Sequence, residues 1–270
     1  AALQEVFTPA SRGDLFVADT AGARLFFSDS LLDPSPLYAL IDRHADQAML
    51  DEIAREYRRG RLLLIGTVNL DQQRPVIWNM GAIAASGHPR ALALFRSILI
   101  ASAAVPGVFP PVLIEVERDG RRYQEMHVDG STAGQVFLYP PSIAFRPDPR
   151  TPRTVWVIRN DRLEPEWQTV SRGILSITRR SVATMFHLAG RNDVVGVYSL
   201  AQRDGMAFRL AAIDPGFTGV RGMGFDPAYM RALFERARER GQNGTAWASA
   251  PPGLERVMTL NPPDRLARSR

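Results

Sequence analysis

The stretch Phe95–Thr132, reading FRSILIASAAVPGVFPPVLIEVERDGRRYQEMHVDGST, constrains the fold of this chain more than any other. Phe95, Ile98, Leu99 and Ser102 share one helical face. The small residues Ala101, Ala103 and Ala104 allow a neighbouring element to pack closely, and Pro106 stops the helix. The Pro110-Pro111 pair enforces extended backbone. Val112–Glu117 and Tyr123–Val128 then read as strands joined at Asp119-Gly120, a strong hairpin signal. The second strand delivers Asp129 to a tight loop at Gly130. A lone carboxylate in that position has two readings. One is an Asx turn that closes the strand. The other is a general base, because an ordinary aspartate is ionised at neutral pH and accepts a proton from a donor within hydrogen-bond reach.

The rest of the chain alternates helical and extended signals. Asp33-Pro34-Ser35-Pro36 is a helix start. Residues 46–59 form an amphipathic helix, capped by Asp46, with Leu50, Ile53, Ala54 and Tyr57 on one face and Gly60 after its end. Leu62–Leu70 is a continuous apolar run that predicts a strand buried on both faces, as in a parallel sheet. Val76–Asn79 and Thr154–Ile158 read as further strands, and Phe208–Ile213 as a late one. Residues 169–189 predict a helix anchored by Ile174, Ile177, Val182, Met185 and Phe186. Asp226 and Pro227 open a last helix, with Met230, Leu233, Phe234 and Ala237 on one face and Gly241 after the end. The run Leu25-Phe26-Phe27 is a core strand or, on a sharper reading, a wall for an acyl chain. This order predicts one α/β domain over 1–241. Gly, Pro and polar residues dominate 242–270, read as an extension whose end, Arg265–Arg270, is disordered.

The net charge is +5, and every basic residue is arginine because the chain has no lysine. The arginines are scattered among acids, apart from doublets at Arg58-Arg59, Arg121-Arg122 and Arg179-Arg180. A nucleic-acid binder concentrates them in a stripe with aromatic platforms, so nucleic acid is not an expected partner. Without cysteine there is no disulfide, thiol catalysis or thiolate metal site. No apolar run approaches the roughly 18–20 residues of a membrane span. The first residues lack the basic and apolar regions of a signal peptide, and no initiator methionine is present. The expectation is a chain that begins inside a longer protein, with cell envelope or secretion open as compartments and oligomeric state undetermined.

Other candidate residues read as structural. His127 sits two positions before Asp129 on the same strand face, and the plainer reading is a strand histidine bonded to backbone. Asp42, His44 and Asp46 alternate in DRHAD but lie on a helix approach, where they would not converge on a metal. The loop Gly219–Gly224 (GVRGMG) lacks the strand spacing and the Lys-Ser/Thr of a phosphate loop. No metal or other cofactor is expected. Ser131 shares the Asp129 loop and lacks a nucleophile elbow. Ser86 and Ser102 lie in small-residue runs that read as packing.

The run ASAAVPGVFPPV, a following strand, and then HVDGS together resemble the patatin-like phospholipase family. The strand Gly66–Leu70 and the segment Trp78–Ser86 resemble its bacterial members. The likeness is closest over about 60–140 and becomes general on either side. It implies a three-layer sheet with helices on both faces and a Ser–Asp dyad, with Asp129 and Gly130 as the Asp-Gly motif and Asp129 as its base. In such a dyad the carboxylate takes the serine proton directly, the alkoxide attacks an ester carbonyl, and backbone N–H donors hold the oxyanion. The chain departs from the pattern in two ways. It contains no G-x-S-x-G and no Gly-rich oxyanion loop, and Ser131 stands where Gly or Ala often follows the motif. The implied reading is the C-terminal part of a carboxylic ester hydrolase acting on lipid, with the N-terminal part missing and the isolated chain inactive. Its substrate would be a lipid or simpler ester, with transient contact to a membrane surface. Arg159, Trp156 and the Val108-Phe109-Pro110 turn are expected to border the substrate channel. The competing reading is a non-catalytic relative that binds lipid or a partner.

Overall fold

A computed structural model describes residues 17–18, 32–139, 150–217 and 226–254. Val17–Ala18 (β1) pairs antiparallel with Leu32–Asp33 (β2). Helices Ser35–His44 (α1) and Gln47–Arg58 (α2) follow. Asp46 caps α2 as expected, its carboxylate accepting from the Met49 N–H at 2.8 Å. Gly60, at φ +92°, takes the left-handed position just past its end.

Strands Leu64–Asn69 (β3) and Arg74–Asn79 (β4) come next, then helices Met80–Ala85 (α3) and Ala91–Ser102 (α4). Strands Val112–Arg118 (β5) and Arg121–Asp129 (β6) form the expected hairpin. Both of its turn residues, Asp119 and Gly120, have positive φ (53° and 74°). That backbone suits the right-handed twist of the flanking strands. The four strands make one sheet in the order β4-β3-β6-β5, antiparallel throughout.

The expectation of a parallel strand at 62–70 is therefore corrected. β3 lies between two antiparallel neighbours, β4 and β6, and Leu62 and Leu63 are exposed. An apolar run reports burial but carries no information on the direction of the neighbouring strands. The turn at 71–73 folds β4 straight back on β3 and decides that direction.

Helices α1–α4 cover one face of this sheet. Leu50, Met80, Phe95 and Ile98 are buried there with Ile114, and Ile65, Trp78, Val112 and Val116 pack around them. On the other face, the Phe137 ring and the Ile77 side chain both lie against Gly66.

A second core is built on a different principle. Strands Thr154–Ile158 (β7) and Ala207–Ala211 (β8) pair in parallel. The helix Ile174–Arg203 (α5) connects them, as a parallel pair requires. Val155, Val157, Val194, Val197, Ala201, Phe208 and Leu210 are buried together. The helix expected over 169–189 is real but is 30 residues long, and its anchors differ. Ile174, Ile177, Val182 and Met185 are exposed, whereas Gly190, Val194, Val197 and Ala201 are buried.

The last helix, Pro227–Gln242 (α6), is capped by Asp226 as expected but runs through Gly241 to Gln242. Ala248 exchanges backbone hydrogen bonds with Leu210 at 2.8 and 2.9 Å, and Trp247 meets Trp156 edge-on at 4.6 Å. Leu25–Phe27, Gly219–Gly224 and Arg265–Arg270 lie outside the described residues. The molecule is mixed α/β, with helices packed on sheet. Among the described residues, no helix is long and apolar enough to cross a membrane.

Candidate functional site

Asp129 closes β6, opposite Thr67 of β3. Its backbone N–H donates to the Ala104 carbonyl at 2.9 Å, so the turn after α4 is fastened to the strand end. The small residues after Leu99 permit this approach. The next residue, Gly130, lies against the backbone of β3: a Cβ there would stand 2.6 Å from the Gly66 carbonyl oxygen. A glycine is therefore required by space. The Asp129 carboxylate accepts from the Ser131 N–H at 2.7 Å and caps a single 3₁₀ turn, Gly130–Thr132. Its other oxygen has no hydrogen-bond partner among the described residues, and the residue is half-buried.

The loop leaving Asp129 is anchored to the second core. The Gln135 N–H donates to Asp193 at 2.7 Å and its side-chain amide to the Phe186 carbonyl at 2.5 Å, both on α5. The Tyr139 hydroxyl donates to the buried Asp204 carboxylate at 2.5 Å, which Arg203 also grips at 2.7 and 3.0 Å. Burial, and then the neighbouring Asp204 charge, push the Tyr139 phenol above its ordinary value. Asp129 thus sits where the antiparallel sheet is tied to the β7–α5–β8 unit.

Two residues earlier on the same strand, His127 is wholly buried and differs from expectation. Its partner is a side chain, not backbone: Nδ1 lies 2.9 Å from the Thr67 hydroxyl. The Trp78 indole N–H donates to the same oxygen at 2.8 Å. With Trp78 donating to its oxygen, the Thr67 hydroxyl has its own proton to give to Nδ1, an arrangement in which the ring proton lies on Nε2. Nε2 faces a Glu125 carboxylate oxygen 3.4 Å away, and Gln72 donates to the other oxygen at 2.8 Å. Burial lowers the imidazole below its ordinary value and outweighs the opposing pull of Glu125 and Asp71. The ring is a neutral part of the interior.

This network of Thr67, Gln72, Trp78, Glu125 and His127 escaped the sequence reading. A signal was present, since Thr67 and Asn69 alternate inside an apolar run, and Glu125, His127 and Asp129 alternate on β6. Asn69 is also buried, its carbonyl accepting from the Gln72 N–H at 3.0 Å.

The remaining candidates do not converge on Asp129. Ser86 and Ser102 donate to the carbonyls of Ile83 and Leu99 in their own helices. Asp42 pairs with Arg96 at 3.2 Å, whereas Asp46 is committed to its cap. Arg159 and Phe109 are buried, and Trp156 faces outward against Trp247. Arg159 packs beside Gln135 and Gly190, where a Cβ on Gly190 would overlap both side chains. Among the described residues its guanidinium reaches one carboxylate, Asp161, at 3.5 Å. A cleft lined by Glu52, Tyr57, Arg61, Leu63 and Gly81 opens elsewhere, at the end of α2.

No known family model matches the chain, and no curated protein matches it.

Proposed function

We propose that this chain carries the base of a Ser–Asp acyl hydrolase of the patatin-like type, acting on lipid or a simpler ester. The observation that supports this reading is the Asp129 carboxylate. One oxygen is steadied by the Ser131 N–H, and the other has no hydrogen-bond partner among the described residues, at the end of a strand. A base needs that combination of fixed orientation and a spare acceptor. This reading takes the nucleophile to be a serine outside these 270 residues, because the chain has no G-x-S-x-G elbow; Ser86 and Ser102 donate to helix carbonyls. Ser131 lacks the strand-to-helix elbow that exposes a nucleophile, and its backbone N–H orients the Asp129 carboxylate. In the reaction the serine proton passes to Asp129, the alkoxide adds to the ester carbonyl, and Asp129 returns the proton to the departing alcohol, leaving an acyl-enzyme. Water then gives a proton to Asp129 as it attacks, and that proton goes back to the serine as the acid is released.

One observation favours a second reading, a non-catalytic lipid- or partner-binding protein. The Asp129 carboxylate already has a structural task, the cap of the 3₁₀ turn. The two readings separate in the protein that holds the nucleophile. Asp129→Asn should abolish p-nitrophenyl ester hydrolysis while thermal unfolding stays cooperative. Retained turnover would remove Asp129 from the mechanism. A serine-directed fluorophosphonate should leave the 270-residue chain unlabelled.

A further inference from the structure

We propose that the N-terminal half of α5, with the Trp167 segment beside it, is a docking surface for anionic lipid. Between Trp167 and Asn192 the chain has four arginines, Arg172, Arg179, Arg180 and Arg191, and no acidic residue. The same stretch exposes its large apolar side chains: Trp167 is 91% exposed, Ile174 89%, Leu175 82% and Met185 70%. At 100° per residue, Ile174, Ile177, Met185 and Leu188 share one face of the helix. That face points away from Gly190, Val194, Val197 and Ala201, the residues that seat the other half of α5 in the second core.

Trp167 is held beside this helix. Arg180 donates to the Glu166 carbonyl at 2.6 Å and to the Gln168 side chain at 3.3 Å, bracketing the tryptophan from both sides. Arg172, Arg179 and Arg191 have no carboxylate partner among the described residues, and all three are exposed. Glu166, next to Trp167, is paired with Arg162 at 2.6 Å, so the surface keeps an excess of cations. An apolar helix face with an indole at its side and cations around it is the arrangement that lies in a lipid headgroup region. The charge selects anionic headgroups, and the aliphatic face distinguishes this surface from a nucleic-acid site, which needs stacking platforms. The surface deepens the hydrolase reading by naming where its acyl substrate is met, but it requires no turnover.

The test is co-sedimentation of the 270-residue chain with phosphatidylcholine vesicles, with and without phosphatidylglycerol. Binding should require the anionic lipid and weaken with salt. A variant carrying Ile174→Ser, Met185→Ser and Leu188→Ser should lose binding while its circular dichroism is unchanged. Arg172→Gln, Arg179→Gln and Arg191→Gln should each weaken binding roughly fivefold. Trp167→Phe should remove the blue shift in tryptophan emission on vesicle addition. Asp129→Asn should bind vesicles like the parent chain, so failure of the hydrolase reading leaves this result standing. Three results would overturn the proposal: no preference for anionic vesicles, binding that survives the serine substitutions, or a parent chain that sediments as a dimer and becomes monomeric with them. The last would assign the face to a second copy of the chain. A duplex-DNA mobility shift that depends on the same arginines, without vesicle binding, would assign it to nucleic acid.

Discussion

His127 and Asp129 stand two residues apart on one strand, and the fold treats them in opposite ways. His127 is wholly buried, hydrogen-bonded through Thr67 to Trp78 and faced by Glu125. Asp129 is the last paired residue of the strand, opposite Thr67, where one backbone N–H holds its carboxylate and the other oxygen has no hydrogen-bond partner among the described residues. The same alternation places both on one face, but the helices cover only the first. Depth along a strand therefore separates a structural ionisable group from a chemically available one. Residue type alone would suggest the reverse, since histidine is the commoner catalytic base.

The widest gap between the two should appear in turnover. Asp129→Asn is expected to reduce ester hydrolysis by roughly 10²–10⁴-fold, the usual contribution of a positioned base, with little change in melting temperature. Gly130→Ala attacks the same loop through space, because its Cβ would meet the Gly66 carbonyl at 2.6 Å. Neither partner is a flexible side chain, so a cost of about 2–3 kcal/mol in denaturant unfolding is expected.

Thr67→Val tests the buried side of the comparison. It keeps the shape but strands the Trp78 N–H and His127 Nδ1, and should destabilise by about 1–3 kcal/mol without touching Asp129. A smaller effect should be seen with pH. The folded state holds His127 below its unfolded value of 6.5, so the unfolded chain binds the proton first. Stability from this site is complete above about pH 7 and falls as the pH drops through 6.5 towards the lower folded value. His127→Gln should flatten that part of the melting curve against pH, and an unchanged slope would mean the histidine is not neutral in the fold. The smallest effect is expected for Ser131→Ala. The cap uses the Ser131 backbone N–H, so stability should change by less than about 0.5 kcal/mol. A large loss of activity in that variant would instead make Ser131 part of the machinery.

Much of the fold was legible because local chemistry decided it. The Asp46 and Asp226 caps, the Asp119-Gly120 turn, the end of the helix ahead of Pro106 and the strand at Thr154–Ile158 each follow from residues a few positions apart. The extent and anchors of α5 were not legible in this way. Its first half repeats apolar residues as a core helix would, but its second half, with Gly190 and Ala201, is the part that packs. Glycine and alanine suit close approach to β7 and β8, and the sequence carries no mark of which half meets them. The site divided along the same line. Asp129 and Gly130 stood out at a strand end beside a turn, whereas the Thr67–His127 pair joins residues 60 positions apart.

By itself the sequence determined the hairpin, the helix limits near the caps, the all-arginine charge and the carboxylate at the end of β6. These rest on steric preferences and capping bonds within a few residues. Only the tertiary structure decided that β3 has antiparallel neighbours, that His127 is enclosed while Asp129 is not, and that half of a long helix leaves its apolar face uncovered. Those outcomes depend on which distant surfaces meet. Hydrophobic burial is non-directional, so an apolar pattern shows that a face can be covered and leaves its partner to the packing of the whole chain.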